Sequence, residues 1–110
     1  MTRVSTTELV EQLRDGDTDY LEVLSEDSLS VELAHYPNPE PQHPHKEDEL
    51  YYIISGSGMA RVGDETYAVD EGDVVYVEQG LNHDFFDIED EITALVVFTH
   101  PEESVLGRNS

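Results

Sequence analysis

The chain has no cysteine, very few basic residues and no long apolar run. The missing cysteine excludes disulfides, thiolate metal sites and cysteine nucleophiles together. No apolar stretch approaches the roughly 18 residues needed to span a bilayer. The N-terminus, Met1 to Glu8, lacks the basic-then-apolar pattern of a secretion signal. These absences lead to the expectation of a soluble, cytoplasmic protein. Basic residues number 5 against 26 acids, for a formal charge of −21. Such a surface repels nucleic acid and anionic membranes, because binding phosphate needs Lys and Arg. The acids are spread along the chain and the only lysine is Lys46. A dense, distributed acidic surface nearly free of lysine resembles the proteins of salt-in halophiles, haloarchaeal or other. There, multimolar salt screens self-repulsion. The alternative is an ordinary acidic protein.

What is present fits one domain over residues 1–110, with 37% apolar residues to supply a modest core. Ser5 and Glu8 have capping-box spacing, and Leu9, Val10 and Leu13 follow at helical spacing until Asp15-Gly16-Asp17. A short helix is predicted at about 5–14. Strand signals dominate afterwards, over about 18–100. Leu29, Val31 and Leu33 alternate with Ser30, Glu32 and Ala34, the pattern of a half-buried strand. Prolines at 37, 39, 41 and 44 predict an extended loop. Runs at 51–54, 59–62, 66–69, 74–77, 83–88 and 92–98 are separated by turn signals, including Ser55-Gly56-Ser57-Gly58. About eight or nine short, closely spaced strands suggest a barrel or sandwich.

The chemistry concentrates in residues 43–56. His43, His45 and Glu49 precede an apolar strand, and His83 lies on a later one. Imidazoles with a carboxylate suit zinc, iron, manganese or nickel. Side chains two apart on a strand share a face, so His43, His45, Glu49, Tyr51 and Ile53 are expected to point one way. His83, Phe85 and Asp87 share parity in the same sense. A barrel could direct both sets into one interior. His35 and His100 have no partners in this pattern and are read as non-ligands. Glu47 and Asp48 are read as turn residues facing water.

The stretch His43-x-His45-x3-Glu49-x6-Gly56 resembles the first motif of the cupin family in full. Gly72, Gly80 and His83 fall at the spacing of its second motif. Two positions depart from the family pattern. Glu78 stands where proline is usual, which loosens the turn before Gly80, and Asp87 stands where asparagine is frequent. The resemblance implies an all-β fold, a double-sheet jelly-roll β-barrel with one short N-terminal helix. It also implies one divalent transition metal ion held by His43, His45, Glu49 and His83. Small prokaryotic cupins of this kind include dioxygenases, isomerases, decarboxylases and lyases. The expected function is therefore a metal-dependent enzyme acting on a small polar organic molecule. The alternative is a non-catalytic module binding a sugar or carboxylate. A metal that only stiffens the barrel is a third reading, weakened because structural sites are usually closed and cysteine-rich. Tyr51, on the ligand face, and Arg61, if turned inward, are the candidate catalytic or anchoring residues. A homodimer is expected by the same resemblance.

Overall fold

The computed structural model describes residues 3–16, 18–36 and 47–99. Helix α1 runs over Thr6–Asp15, within one residue of the predicted bounds. The Ser5 side chain accepts a hydrogen bond from the Glu8 amide at 3.5 Å, as N-cap spacing requires. Among the described residues six strands follow: β1 (Tyr20–Ser25), β2 (Leu29–Tyr36), β3 (Glu49–Val62), β4 (Glu65–Val69), β5 (Val74–Val77) and β6 (His83–Thr99). All pairings are antiparallel.

Among the described residues, six strands stand where eight or nine were predicted, because two predicted breaks are corners inside continuous strands. β3 runs through Ser55-Gly56-Ser57-Gly58, and β6 joins the 83–88 and 92–98 runs. The register between them shifts three times from Ile53 to Met59. Gly56 sits at φ 99°, and a Cβ there would lie 2.2 Å from the Glu91 carbonyl oxygen. The two backbones cross too closely for a side chain, so glycine here turns a corner without ending the strand. On the partner strand, Asp87 adopts φ 47°.

This corner folds one continuous six-stranded sheet into two layers. One half pairs residues 49–55 with 93–98 and carries β1, β2 and β5. The other pairs 59–62 with 83–86 and carries β4. The two inner faces enclose the core. Tyr51, Ile53, Val75, Val77, Ala94 and Val96 meet Ala60, Val69 and Phe85. This is the two-layer arrangement of a jelly roll, in which covered faces take the place of a single flat sheet.

Strand β2 is covered on both faces. Ala34 and Tyr36 belong to the barrel interior, with the Tyr36 and Phe85 rings 5.0 Å apart. Leu33 is fully buried outside that cluster, on the side where α1 places the equally buried Leu13. The alternating apolar residues of β2 therefore face the helix, and the more polar row, Ser30, Glu32, Ala34 and Tyr36, faces the barrel. His35, on the helix side, stands between the carboxylates of Asp19 (3.1 Å) and Glu91. It ties β1 and β6 to β2 and is not drawn into the interior. Among the described residues no helix is long and apolar enough to cross a membrane.

Candidate metal centre

Glu49 opens β3 and His83 opens β6, at opposite ends of the antiparallel ribbon. Glu49 pairs with Phe98, and His83 pairs with Val62. Thirteen residues of flat strand would separate them by roughly 40 Å. Because the ribbon folds at its corner, His83 Nε2 lies 3.4 Å from Glu49 Oε1. Both side chains are buried, with residue exposures of 2% for Glu49 and 5% for His83. A buried carboxylate is costly unless it is compensated, so the pair needs chemistry that satisfies it.

Each donor is held by a neighbour. The Tyr51 hydroxyl donates to Glu49 Oε1 at 2.7 Å. His83 Nδ1 lies 3.0 Å from the Leu81 carbonyl. A carbonyl can only accept, so Nδ1 carries the proton and Nε2 is the nitrogen presented to Glu49. That tautomer, with one ring nitrogen tied to a carbonyl, is the arrangement in which imidazole offers a lone pair to a metal. Burial alone would lower the His83 pKa. The Glu49 carboxylate beside it, the Leu81 carbonyl and the charge of Asp84 together outweigh burial and hold it above the usual imidazole value. The donor types and the fixed tautomer fit a divalent transition metal.

Asp48 joins the segments that lead into the two donors. Its Oδ1 accepts from the Gln79 amide at 2.8 Å, and its carbonyl accepts from the Thr99 amide at 3.0 Å. The turn before His83 closes with Leu81 N–H on the Glu78 carbonyl at 3.3 Å and Gly80 at φ 86°. A turn therefore forms with Glu78 in place of proline, and Asp48 fastens it. The expectation that Asp48 simply faces water is corrected: its carboxylate binds backbone.

The remaining sequence candidates divide by face. Tyr51 is inward, 2% exposed, with its ring 5.3 Å from Phe85 and edge-on to it. Arg61 follows the inward Ala60 and so points outward. Its guanidinium stacks 4.3 Å over the Phe86 ring, and Nε lies 3.7 Å from Asp84 Oδ1. Only its strand position borders the interior, so the geometry is that of an ion-pair partner. Asp87, displaced by its positive φ, is exposed. His43, His45 and His100 lie outside the described residues. Among the described residues no group of three or more potential ligands comes together. A narrow cleft of about 10 Å³, room for about one water, borders His83 and is lined by Tyr51, Ala60, Val75, Val77 and Phe85, with Arg61 and Asp84 at its edge.

One interior acid escapes a sequence reading. Glu32 is cross-strand from Val96, which is cross-strand from Tyr51, so its side chain shares their inward row. Burial, then Glu22 directly opposite it, then Glu49 all raise its pKa. Alternation placed Glu32 on the polar side of β2. Only the helix covering the other side reveals that the polar side is the interior.

Known proteins resemble this chain over most of its length. An uncharacterized protein of Streptomyces coelicolor is 40% identical over 89 residues, 79% of this chain and 85% of the relative. An acireductone dioxygenase of Stenotrophomonas maltophilia is 37% identical over 67 residues, covering 56% of this chain. This chain spans only 36% of that enzyme. A cupin-2 domain protein from Shewanella frigidimarina shares the fold with a TM-score of 0.73 at 12% identity, over 88% of this chain and 94% of that one. Residues 31–100 match the cupin domain, and with the folded two-sheet ribbon on the page the chain belongs to the cupin family.

Proposed function

We propose that this cupin binds one divalent transition metal ion through His43, His45, Glu49 and His83 and acts as an enzyme on a small polar organic molecule. One observation carries the reading: a buried carboxylate and a buried imidazole from distant strand ends meet at 3.4 Å, with the imidazole tautomer fixed by Leu81. The likeness to an acireductone dioxygenase lends support to an enzymatic role. A bound metal would supply Lewis acidity or an activated oxygen ligand at positions the protein leaves open.

The chain's own residues do the rest. Tyr51 holds Glu49 by donating to Oε1, which orients the carboxylate. Leu81 keeps the His83 proton on Nδ1. The apolar wall of Ala60, Val75, Val77 and Phe85 keeps water away from one side of His83.

Elemental analysis tests the site. Wild-type protein should carry about one metal per chain, and Glu49→Ala, His83→Ala and His45→Ala should each lose it. Stoichiometric metal retained in all three variants would sink the assignment. The metal found also narrows the reaction: iron favours oxygenation, and zinc or manganese favours isomerase, decarboxylase or lyase chemistry.

A further inference from the structure

The outer face of the layer that carries Glu49 differs from the rest of this acidic chain. Side chains of cross-strand partners lie on one side of a sheet. Tyr76, Leu50 and Val97 form one such row across β5, β3 and β6, and Val74, Tyr52 and Leu95 form the next. Neither row holds an acid, a base or an amide. Both continue onto β2, where Leu33 is fully buried. The acids of these strands, Glu22, Glu32 and Glu49, stand on the opposite, inward rows. Helix α1 packs against β1 and β2 and covers that end of the face. Toward β5 the face is open: Val74 and Tyr76 are each 57% exposed, Tyr52 43% and Leu50 37%. In a chain with 26 acids among 110 residues, chance would scatter carboxylates over such a face. An apolar patch kept clear of them on a monomer's surface marks an interaction site.

We propose that a second copy of this chain docks on this face, the two copies packing the Tyr52 and Tyr76 ends of their sheets together about a two-fold axis. The exposed parts of Tyr52 and Tyr76 equal one whole tyrosine, roughly 150–250 Å². With Val74, Leu50 and the half-buried Leu95 and Val97, the open patch reaches roughly 400 Å². A standard interface buries about 800 Å² per partner, somewhat over half of it apolar. The patch therefore supplies most of the apolar part, and its surroundings supply the polar rim. Charge selects the occupant. Another copy also carries −21 and is repelled wherever acids face each other. This face brings two copies together without burying a carboxylate. It needs no complementary partner, because a two-fold axis pairs a patch with itself. A basic protein would find no carboxylate here and would be drawn to the acids elsewhere. A sugar would find two phenols and no amide or carboxylate to hold its hydroxyls. The acids outside the contact still repel one another, so rising KCl tightens the pair. An interface built on ion pairs would loosen instead.

Sedimentation velocity of the full chain over a range of concentrations tests this, in molar KCl and at the lowest KCl that keeps the chain folded. Wild type should dimerise in molar KCl, with a dissociation constant about 10-fold larger or more at low KCl. Val74→Glu places a charge within the face at an exposed position, which the fold tolerates. In molar KCl its dissociation constant should rise about 100-fold or more, because like charges meet across the contact. Thr66→Glu adds the same charge opposite Arg61, on the outward face of the other layer. It should stay within about 3-fold of wild type, the effect of net charge alone. A footprint on wild type needs no variant. Tetranitromethane nitrates accessible tyrosines, and mass spectrometry locates them. In molar KCl, Tyr52 and Tyr76 should react in dilute, monomeric protein and be protected in concentrated, dimeric protein. Tyr20, 55% exposed on β1, should react equally in both. A chain that stays monomeric at every concentration in molar KCl would overturn the proposal. So would a dimer whose Tyr52 and Tyr76 react as in the monomer, since its interface would lie on another face. Equal weakening by Val74→Glu and Thr66→Glu would overturn it too, assigning the effect to net charge.

Discussion

At the residue scale, pH separates the pairing of His83 with Glu49 from the metal ligation proposed for it. Its folded pKa is raised, because Glu49, the Leu81 carbonyl and Asp84 together outweigh the lowering by burial. A raised imidazole pKa stabilises the metal-free fold fully below the unfolded value of about 6.5. That contribution is lost as pH rises through the folded value. The melting temperature of metal-free wild type should therefore exceed that of His83→Gln by most below about pH 6.5, and the gap should narrow above. A constant gap across pH would contradict an imidazolium–carboxylate pair. The proposed metal uptake should run the opposite way, since an ion would have to displace the same proton and would gain affinity as pH rises. Much of this centre was legible in the sequence. Glu49 and His83 stood out by spacing, and parity put Tyr51 beside them. Glu32 was not legible, because an apolar alternation does not say which face of a strand a helix will cover. The direction of Arg61 follows from its place after the inward Ala60, which pairing with Phe85 fixes.

At the element scale, the lesson lies in Gly56. Read as sequence, Ser55-Gly56-Ser57-Gly58 has the composition of a loop, because local propensity cannot distinguish a turn from a corner. The distinction is made by the partner strand, whose Glu91 carbonyl occupies the space of a side chain. Gly72 offers a control, with a similar φ of 92° but nothing within 4 Å of an added Cβ. Gly72→Ala should cost about 1 kcal/mol, from backbone strain alone. Gly56→Ala should cost about 3 kcal/mol or more, because backbone must move as well. In a domain of this size that larger loss lowers the melting temperature by roughly 10 °C or more. Equal losses in the two variants would mean that the strands do not cross tightly at the corner.

At the scale of the whole molecule, charge and connectivity set the terms. A formal charge of −21 on 110 residues opposes compaction in dilute buffer. The melting temperature should climb as KCl rises from millimolar to molar, as screening removes the repulsion. Full stability in dilute buffer, unmoved by molar KCl, would show that the acids are an ordinary surface. The all-β class and the N-terminal helix were legible because periodicity and capping are local signals. The doubling of one ribbon into two layers was not, because it depends on contacts between residues far apart in sequence. That doubling has a mechanical consequence. Glu49 and His83 are the tips of a pair of tongs whose hinge lies at Gly56 and Asp87. An ion held at the tips, as proposed, would resist the opening of both layers at once, and a looser hinge would slacken the grip from the far end of the barrel.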